Sequence, residues 1–108
     1  MILTFVETRV FTRQARDALP GESLRALQRV LLERPRAGAV VPGLHGVRKL
    51  RWYAAGKGKR GGVRVLYFAD EPAHRIYLLL VYAKSGQDEL TPDQRLALLR
   101  ALGDLRAG

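Results

Sequence analysis

The chain has 108 residues and no cysteine, a length that suits one domain and a composition that excludes disulfide frameworks and zinc–thiolate sites. Hydrophobic residues make up 47% of the sequence and charged residues 27%, which excludes the disordered class of chains. The formal net charge is +9, so polyanions are the first class of partner to consider.

The first third of the chain predicts a strand followed by two helices. Residues 2–6 are a short run of β-branched and aromatic side chains, which is typical of a strand. Over residues 8–19 apolar side chains recur at helical spacing, with arginines on the opposite side, and Pro20 and Gly21 end this helix. A second amphipathic helix is predicted over residues 22–33, so the two helices form a hairpin.

Three strands are predicted in the second half of the chain, over residues 47–53, 62–69 and 75–84. The segment before them, residues 37–46, is rich in glycine and proline and is expected to be irregular. Because the connections between the strands are short, the three strands are expected to pair as an antiparallel meander.

A final helix is predicted to begin at Thr91, whose hydroxyl can cap the helix while Gln94 completes a capping box. Its expected apolar face consists of Leu96, Leu99 and Leu102. The sequence therefore predicts one α+β domain of order βααβββα, with an antiparallel sheet, two N-terminal helices and a C-terminal helix.

The N-terminus lacks the pattern of a secretory signal peptide. The longest apolar run, residues 76–83, is far shorter than the roughly 20 residues that a membrane-spanning helix needs. We therefore expect a single domain over residues 1–108 in a soluble, cytoplasmic protein with no membrane-spanning segment.

The positive charge is concentrated in one part of the chain. Residues 34–69 contain nine Lys or Arg and no Asp or Glu, whereas the ten cations elsewhere are matched by ten acids. A neutral scaffold with one basic segment favours nucleic acid as the partner, since Lys and Arg gain affinity by releasing counterions from phosphates. An anionic membrane surface or an acidic protein would attract the same segment, so both stay open at this point.

Strand alternation predicts which cations share a face. On the strand over residues 47–53, Lys49 and Arg51 lie together on the less apolar face. On the next strand Arg64 shares its face with Leu66 and Phe68, an unusual position for a cation. A charge there is costly unless an acid or an anionic ligand compensates for it.

On the last strand, simple alternation places Tyr82 and Lys84 on the face of Ile76 and Leu78. The meander is expected to gather a cationic cleft from Lys49, Arg51, Arg64, Tyr82 and Lys84, with Lys57, Lys59 and Arg60 reaching over from the hairpin loop. Such a cleft suits a phosphodiester, since guanidinium groups bind phosphate bidentately.

Other chemistry is poorly supported. The segment GKGKRGG at residues 56–62 lacks the order G-x-x-x-x-G-K-[ST] of nucleotide-binding loops, although a merely solvated loop remains an alternative reading. His45 and His74 lie in predicted turns as surface residues. The basic segment has no carboxylates, so neither a metal nor another cofactor is expected.

The segments VRKLRWYAAGKGKRGGVRVLYF, at residues 47–68, and RIYLLLVYAKSGQDELTPDQ, at residues 75–94, resemble the RelE/HigB family of toxins. This family belongs to bacterial type II toxin–antitoxin systems within the RelE/ParE superfamily. The resemblance implies a RelE-like microbial ribonuclease fold and a metal-independent, ribosome-dependent mRNA endoribonuclease, or mRNA interferase, that inhibits translation. In that chemistry the ribose 2′-hydroxyl attacks the adjacent phosphate.

The resemblance also implies roles for residues. Arg64 matches the arginine of the family's G-x-R-x-x-Y motif and is expected to contact the scissile phosphate, and Lys84 matches a cation after the last strand. Tyr82 is the candidate substitute for a family tyrosine that has no counterpart in the C-terminal region. The RNA-binding residues are expected to be Lys49, Arg51, Lys57, Lys59 and Arg60.

The implied partners are the ribosome with its mRNA and a cognate antitoxin, often a helix-turn-helix protein, with operator DNA contacted only through the antitoxin complex. Two alternatives remain open. One is a ParE-like toxin that inhibits DNA gyrase, and the other is a non-catalytic nucleic-acid-binding relative.

Overall fold

The structure is a computed structural model that describes residues 4–53, 62–87 and 89–107. These residues form one α+β domain, so the predicted fold class is confirmed. The elements are β1 Thr4–Glu7, α1 Arg9–Ala18, α2 Gly21–Glu33, β2 Ala39–Val40, β3 Arg48–Trp52, β4 Val63–Asp70, β5 Arg75–Ala83 and α3 Pro92–Ala107. A single 3-10 turn, Lys84–Gly86, follows β5. In this described part, no helix is long and apolar enough to cross a membrane.

The five strands form one mixed sheet in the order β1-β5-β4-β3-β2. The antiparallel meander β3-β4-β5 is confirmed. The prediction of a wholly antiparallel sheet was wrong, because β1 pairs parallel with β5, with Phe5 opposite Ile76. The short strand β2, in the segment expected to be irregular, pairs with β3 at the opposite edge.

The sheet is covered on both faces. The first core cluster joins α1 and α2 to one face through residues such as Phe11, Leu27 and Leu31. The second joins α3 and the 41–47 connection to the other face, with Leu98 and Leu102 at its centre. Burial on both faces explains why β4 and β5 are almost continuously apolar instead of alternating.

A β-bulge interrupts the pairing of β4 with β5. Leu66 lies opposite Leu80 and Tyr67 opposite Leu78, so Leu79 is the extra residue of β5. The bulge reverses the alternation, because both Leu79 and Leu80 belong to the second cluster.

Two peptide groups of β5, one at the bulge and one two residues after it, are bonded by α1 and its N-cap. The Thr8 hydroxyl donates to the carbonyl oxygen of Leu79 over 2.8 Å, and the amide of Val81 donates to Oε1 of Gln14 over 3.0 Å. A buried peptide group without a partner would be destabilising, so these two side chains stabilise the irregular register.

The predicted capping box of α3 is confirmed. The amide of Gln94 donates to the Thr91 hydroxyl over 3.1 Å, and the amide of Thr91 donates to Oε1 of Gln94 over 3.0 Å. The predicted apolar face of α3 was wrong by about a quarter turn. Leu98 and Leu102 are buried, whereas Leu96 is 49% exposed and Leu99 36% exposed.

The connection from α2 to β2 is tied to the sheet by Tyr67, which is fully buried. Its hydroxyl donates to the carbonyl oxygen of Pro35 and accepts from the amide of Gly38, each over 2.8 Å. Burial raises the pKa of the Tyr67 phenol, partly offset by the Gly38 hydrogen bond and by the charge of Arg48. A side chain at Gly38 would lie 2.9 Å from the Lys49 carbonyl oxygen, which explains the glycine.

Candidate functional site

Two arginines and a tyrosine form a row across the three central strands of the sheet. Arg51 of β3 pairs directly with Arg64 of β4, and Arg64 pairs with Tyr82 of β5. Directly opposed residues on antiparallel strands point to the same face, with Cβ atoms roughly 5 Å apart. We call Arg51, Arg64 and Tyr82 the cross-strand row.

The bulge is what brings Tyr82 into this row. Alternation had predicted that Tyr82 shares a face with Ile76 and Leu78, but those two residues belong to the first core cluster and Tyr82 to the second. That prediction was wrong because periodicity along one strand does not reveal an inserted residue. The correction favours the predicted cleft, since it brings Tyr82 beside Arg64.

Arg64 is 5% exposed and is the only buried charged side chain in the described ranges. Its Nη1 donates to the carbonyl oxygen of Val63 over 3.4 Å, and the residue takes part in further interactions. A charge held in apolar surroundings is screened less than one in water, so it acts strongly on an anion at the nearby surface.

Arg51 is exposed and forms no ion pair with any residue that the structure describes. Like charges directly opposite each other on neighbouring strands repel, so the Arg51–Arg64 pair carries an energetic cost. An anion between the two guanidinium groups would relieve that repulsion.

Tyr82 is 7% exposed and packs in the second core cluster. A ring that is so little exposed offers almost no face on which a base can stack. A tyrosine can also transfer a proton, and the burial of Tyr82 favours that role because it needs only the hydroxyl.

Lys84 is exposed and begins the 3-10 turn at the end of β5. Its amide donates to the carbonyl oxygen of Gly62 over 3.1 Å, which holds this turn beside the start of β4, two residues before Arg64. Gly62 has a φ of +62°, and a Cβ there would clash with the Trp52 carbonyl oxygen. This glycine of the GKGKRGG segment is thus needed by the backbone.

Lys49 is half-buried on the same face as the cross-strand row, opposite Leu66. It lines a cleft of about 490 Å³ between the β2 edge and the start of α3, together with Val40 and Arg95. The cleft also includes the carboxylate-bearing Glu89.

Arg95 was missed by sequence reasoning, because it lies outside the basic segment. Its Nη2 donates to the carbonyl oxygen of Pro42 over 2.7 Å, which fixes the guanidinium across the cleft. One feature of the sequence could have pointed to Arg95, namely its position in the first turn of α3. A cation is unfavourable there because it faces the positive end of the helix dipole.

The remaining predicted RNA-binding residues, Lys57, Lys59 and Arg60, lie outside the described residues. His45 and His74 are exposed, as predicted, and both adopt a positive φ in turns. Within the described ranges, no group of three His, Cys, Asp or Glu side chains is placed to hold a metal ion. No protein-family model matches the chain.

The structure therefore brings four of the predicted residues to one face of the sheet, Lys49, Arg51, Arg64 and Tyr82, with Lys84 at the adjoining strand end. Three of the four carry positive charge. The arrangement can bind an anion that is larger than a single phosphate, and it is best suited to a polyanion backbone.

Proposed function

We propose that the chain is a toxin of the RelE/HigB family that cleaves mRNA on the ribosome and so inhibits translation. The observation that carries the proposal is the cross-strand row, in which two arginines and a tyrosine stand directly opposite one another on neighbouring strands and point to one face of the sheet. The proposal includes the RelE-like fold, and the succession β1-α1-α2-β3-β4-β5-α3 supports it, with β2 as an addition.

The proposed reaction needs no metal. The 2′-oxygen of the ribose forms a bond to the adjacent phosphorus while the bond from phosphorus to the 5′-oxygen breaks, which leaves a 2′,3′-cyclic phosphate and a 5′-hydroxyl. The 2′-hydroxyl loses its proton, and the departing 5′-oxygen gains one. Negative charge builds up on the phosphoryl oxygens in the transition state, where positioned cations are most effective.

In this proposal, the role of each residue in the reaction follows from its burial. Arg51 and Lys84 are exposed and meet the RNA backbone first, whereas the buried Arg64 supplies a fixed positive charge at the scissile phosphate. Tyr82 and Lys84 are the proton-carrying side chains at this end of the sheet. Lys57, Lys59 and Arg60 extend the RNA contact in this proposal, and Lys49 binds the neighbouring phosphate.

The proposed partners follow from the same activity. The toxin acts in the cytoplasm on ribosomes that carry mRNA, and a cognate antitoxin of the helix-turn-helix type neutralises it. Operator DNA is contacted only through the toxin–antitoxin complex.

The test is to map mRNA ends after brief induction of the chain in a bacterium, and to measure cleavage on programmed ribosomes in vitro. Arg64→Ala is expected to lower the cleavage rate by about 10²–10³-fold, the usual effect of removing one transition-state donor. Because Arg64 is buried, its variant must first be shown to be folded by circular dichroism and thermal unfolding.

Arg51→Gln provides a second variant that is safe for folding, since Arg51 is exposed and forms no ion pair within the described residues. We expect it to lower cleavage about tenfold. Arg75→Gln is the matched control, an exposed arginine at the far end of β5, and it is expected to leave cleavage unchanged. Full cleavage by folded Arg64→Ala would overturn the proposal.

The same assays separate the alternatives. Growth arrest with intact mRNA and inhibited supercoiling would identify a gyrase inhibitor of the ParE kind. Salt-dependent RNA binding without cleavage would identify a non-catalytic relative.

A further inference from the structure

A stripe of three arginines lies on the outer side of α1. Arg9, Arg13 and Arg16 are all exposed, while Phe11 and Ala15 on the opposite side of the helix are buried. At positions i, i+4 and i+7 the three side chains follow one line along the helix, about 10 Å long at 1.5 Å per residue. We call these three residues the α1 stripe.

The charges of the α1 stripe are not compensated within the described protein. None of its arginines forms an ion pair with a described residue, whereas on α2 both Arg25 and Arg29 pair with Glu22, over 3.0 and 3.6 Å. Like charges at i, i+4 repel, and Arg9 also opposes the positive end of the helix dipole, since the first turn has no acid. These two terms are unfavourable for the isolated helix, whereas Arg16 in the last turn and Asp17, four residues after Arg13, contribute favourable ones.

A shallow cleft of about 320 Å³ runs along the stripe, and its walls also include Glu7 and Thr12. The Thr12 hydroxyl donates to Oε1 of Glu7 over 2.7 Å, so the one carboxylate in the cleft is bonded to a hydroxyl and to no arginine. Three guanidinium groups and one carboxylate leave the cleft with a positive balance.

The stripe and the cross-strand row lie on opposite sides of the sheet. Phe11 and Ala15 attach α1 to the face of the first core cluster, while Tyr82 of the row belongs to the second. A polyanion bound along α1 would therefore leave the cross-strand row accessible.

We propose that the α1 stripe is a second nucleic-acid surface, which binds the phosphate backbone of a double helix. Guanidinium groups bind phosphate oxygens bidentately, and a linear array of them suits a backbone of regular charge. Single-stranded RNA is disfavoured because its binding uses exposed aromatic rings, and the only aromatic residue of α1, Phe11, is fully buried. The inference does not rest on the proposed cleavage activity.

The experiment measures binding of the full chain to an RNA duplex of about 16 base pairs by fluorescence anisotropy, between about 50 and 200 mM salt. Arg13→Gln/Arg16→Gln is compared with Arg25→Gln/Arg29→Gln, which removes the same charge from the neighbouring helix. We expect the first pair to weaken binding at least about tenfold and to lower the salt slope by about 1.5–2, and the second to change affinity less than about twofold.

Arg100→Gln is a control for the other face, and it is expected to leave duplex affinity within about twofold, since Arg100 is an exposed residue of α3, which packs on the side of the sheet opposite α1. Equal losses for the two double variants would show a general effect of net charge and overturn the proposal. Tighter binding of poly-glutamate than of the RNA duplex, lost in Arg13→Gln/Arg16→Gln, would also overturn it and assign the stripe to an acidic protein.

Discussion

Single residues with an unusual environment carry most of the functional argument. Arg64 lies between Val63 and Val65 in the central strand, where loss of hydration makes a charge expensive unless hydrogen bonds or opposite charges compensate for it. A guanidinium in the middle of a core strand, directly opposite a second arginine, is therefore best explained by an electrostatic role.

Tyr67 shows the same argument for a structural residue. In Tyr67→Phe the amide of Gly38 and the carbonyl of Pro35 lose their shared partner, so we expect the free energy of unfolding near neutral pH to fall by about 1–3 kcal/mol. Urea denaturation measures this loss. Tyr53→Phe is the control, because the Tyr53 ring is 58% exposed and its change is expected to be neutral.

The pH dependence of the free energy of unfolding provides a second test of the environment of Tyr67. Its pKa in the folded state is raised above the ordinary value of 10.0, so the folded protein holds the phenolic proton more tightly than the unfolded chain. The stabilisation that this pKa difference provides is fully present below the ordinary pKa of 10.0. It is lost as the pH rises through the raised pKa of the folded state. The gap between wild type and Tyr67→Phe should therefore narrow above about pH 10, and a constant gap would contradict the raised pKa.

Among the elements, α3 offers the clearest test of helical phase. Leu98 is 3% exposed and Leu99 is 36% exposed, although the two are adjacent and chemically identical. We expect Leu98→Ala to lower the free energy of unfolding by about 2–5 kcal/mol through loss of core contacts, and Leu99→Ala by less than about 1 kcal/mol. Thermal or urea unfolding of both variants measures the difference. Equal losses would contradict the observed phase, and a larger loss for Leu99→Ala would restore the face that the sequence predicted.

The bulge in β5 shows how contacts from two elements, α1 and β4, set the register of a third. Thr8 and Gln14, from the N-cap and body of α1, bond the peptide groups that β4 cannot reach at Leu79 and Val81. The register past the bulge then places Tyr82 opposite Arg64. Helix α1 thus supports the candidate site from the opposite face of the sheet.

At the scale of the whole molecule, the layered fold predicts a gradient of local stability. Strands β4 and β5 are flanked on both sides and buried on both faces, whereas β2 has two exposed residues at the sheet edge. We expect amide hydrogen exchange to be slowest in β4 and β5, at the limit set by global unfolding, and faster in β2 through local opening. Equal protection of β2 and β4 in an NMR-detected exchange experiment would contradict this order.

The distribution of charge in space differs from its distribution along the chain. Along the chain, the whole excess falls in residues 34–69 and the remainder sums to zero. In space that neutral remainder is uneven, since Glu22 of α2 pairs with two arginines of its own helix while the α1 stripe has no paired acid among the described residues. Summing charges along a sequence therefore hides a patch that spatial separation of the charges produces.

From its local patterns the sequence correctly predicted the α+β class, the two amphipathic helices, the antiparallel meander and the capping box at Thr91 and Gln94. It also determined that Lys49 and Arg51 share a face and that Arg64 lies among apolar neighbours. These features depend on local periodicity, turn residues and short connections, which are properties of neighbouring residues.

Three features became visible only in the tertiary structure: the pairing of β1, the buried face of α3, and the side of the sheet that Tyr82 occupies. A parallel pairing joins residues as distant as Phe5 and Ile76, and a helix with leucines on two sides has two possible apolar faces. A single extra residue at Leu79 reverses every side chain after it, and only contacts with β4 and α1 select that register. Such choices depend on long-range packing, which no local pattern in the chain records.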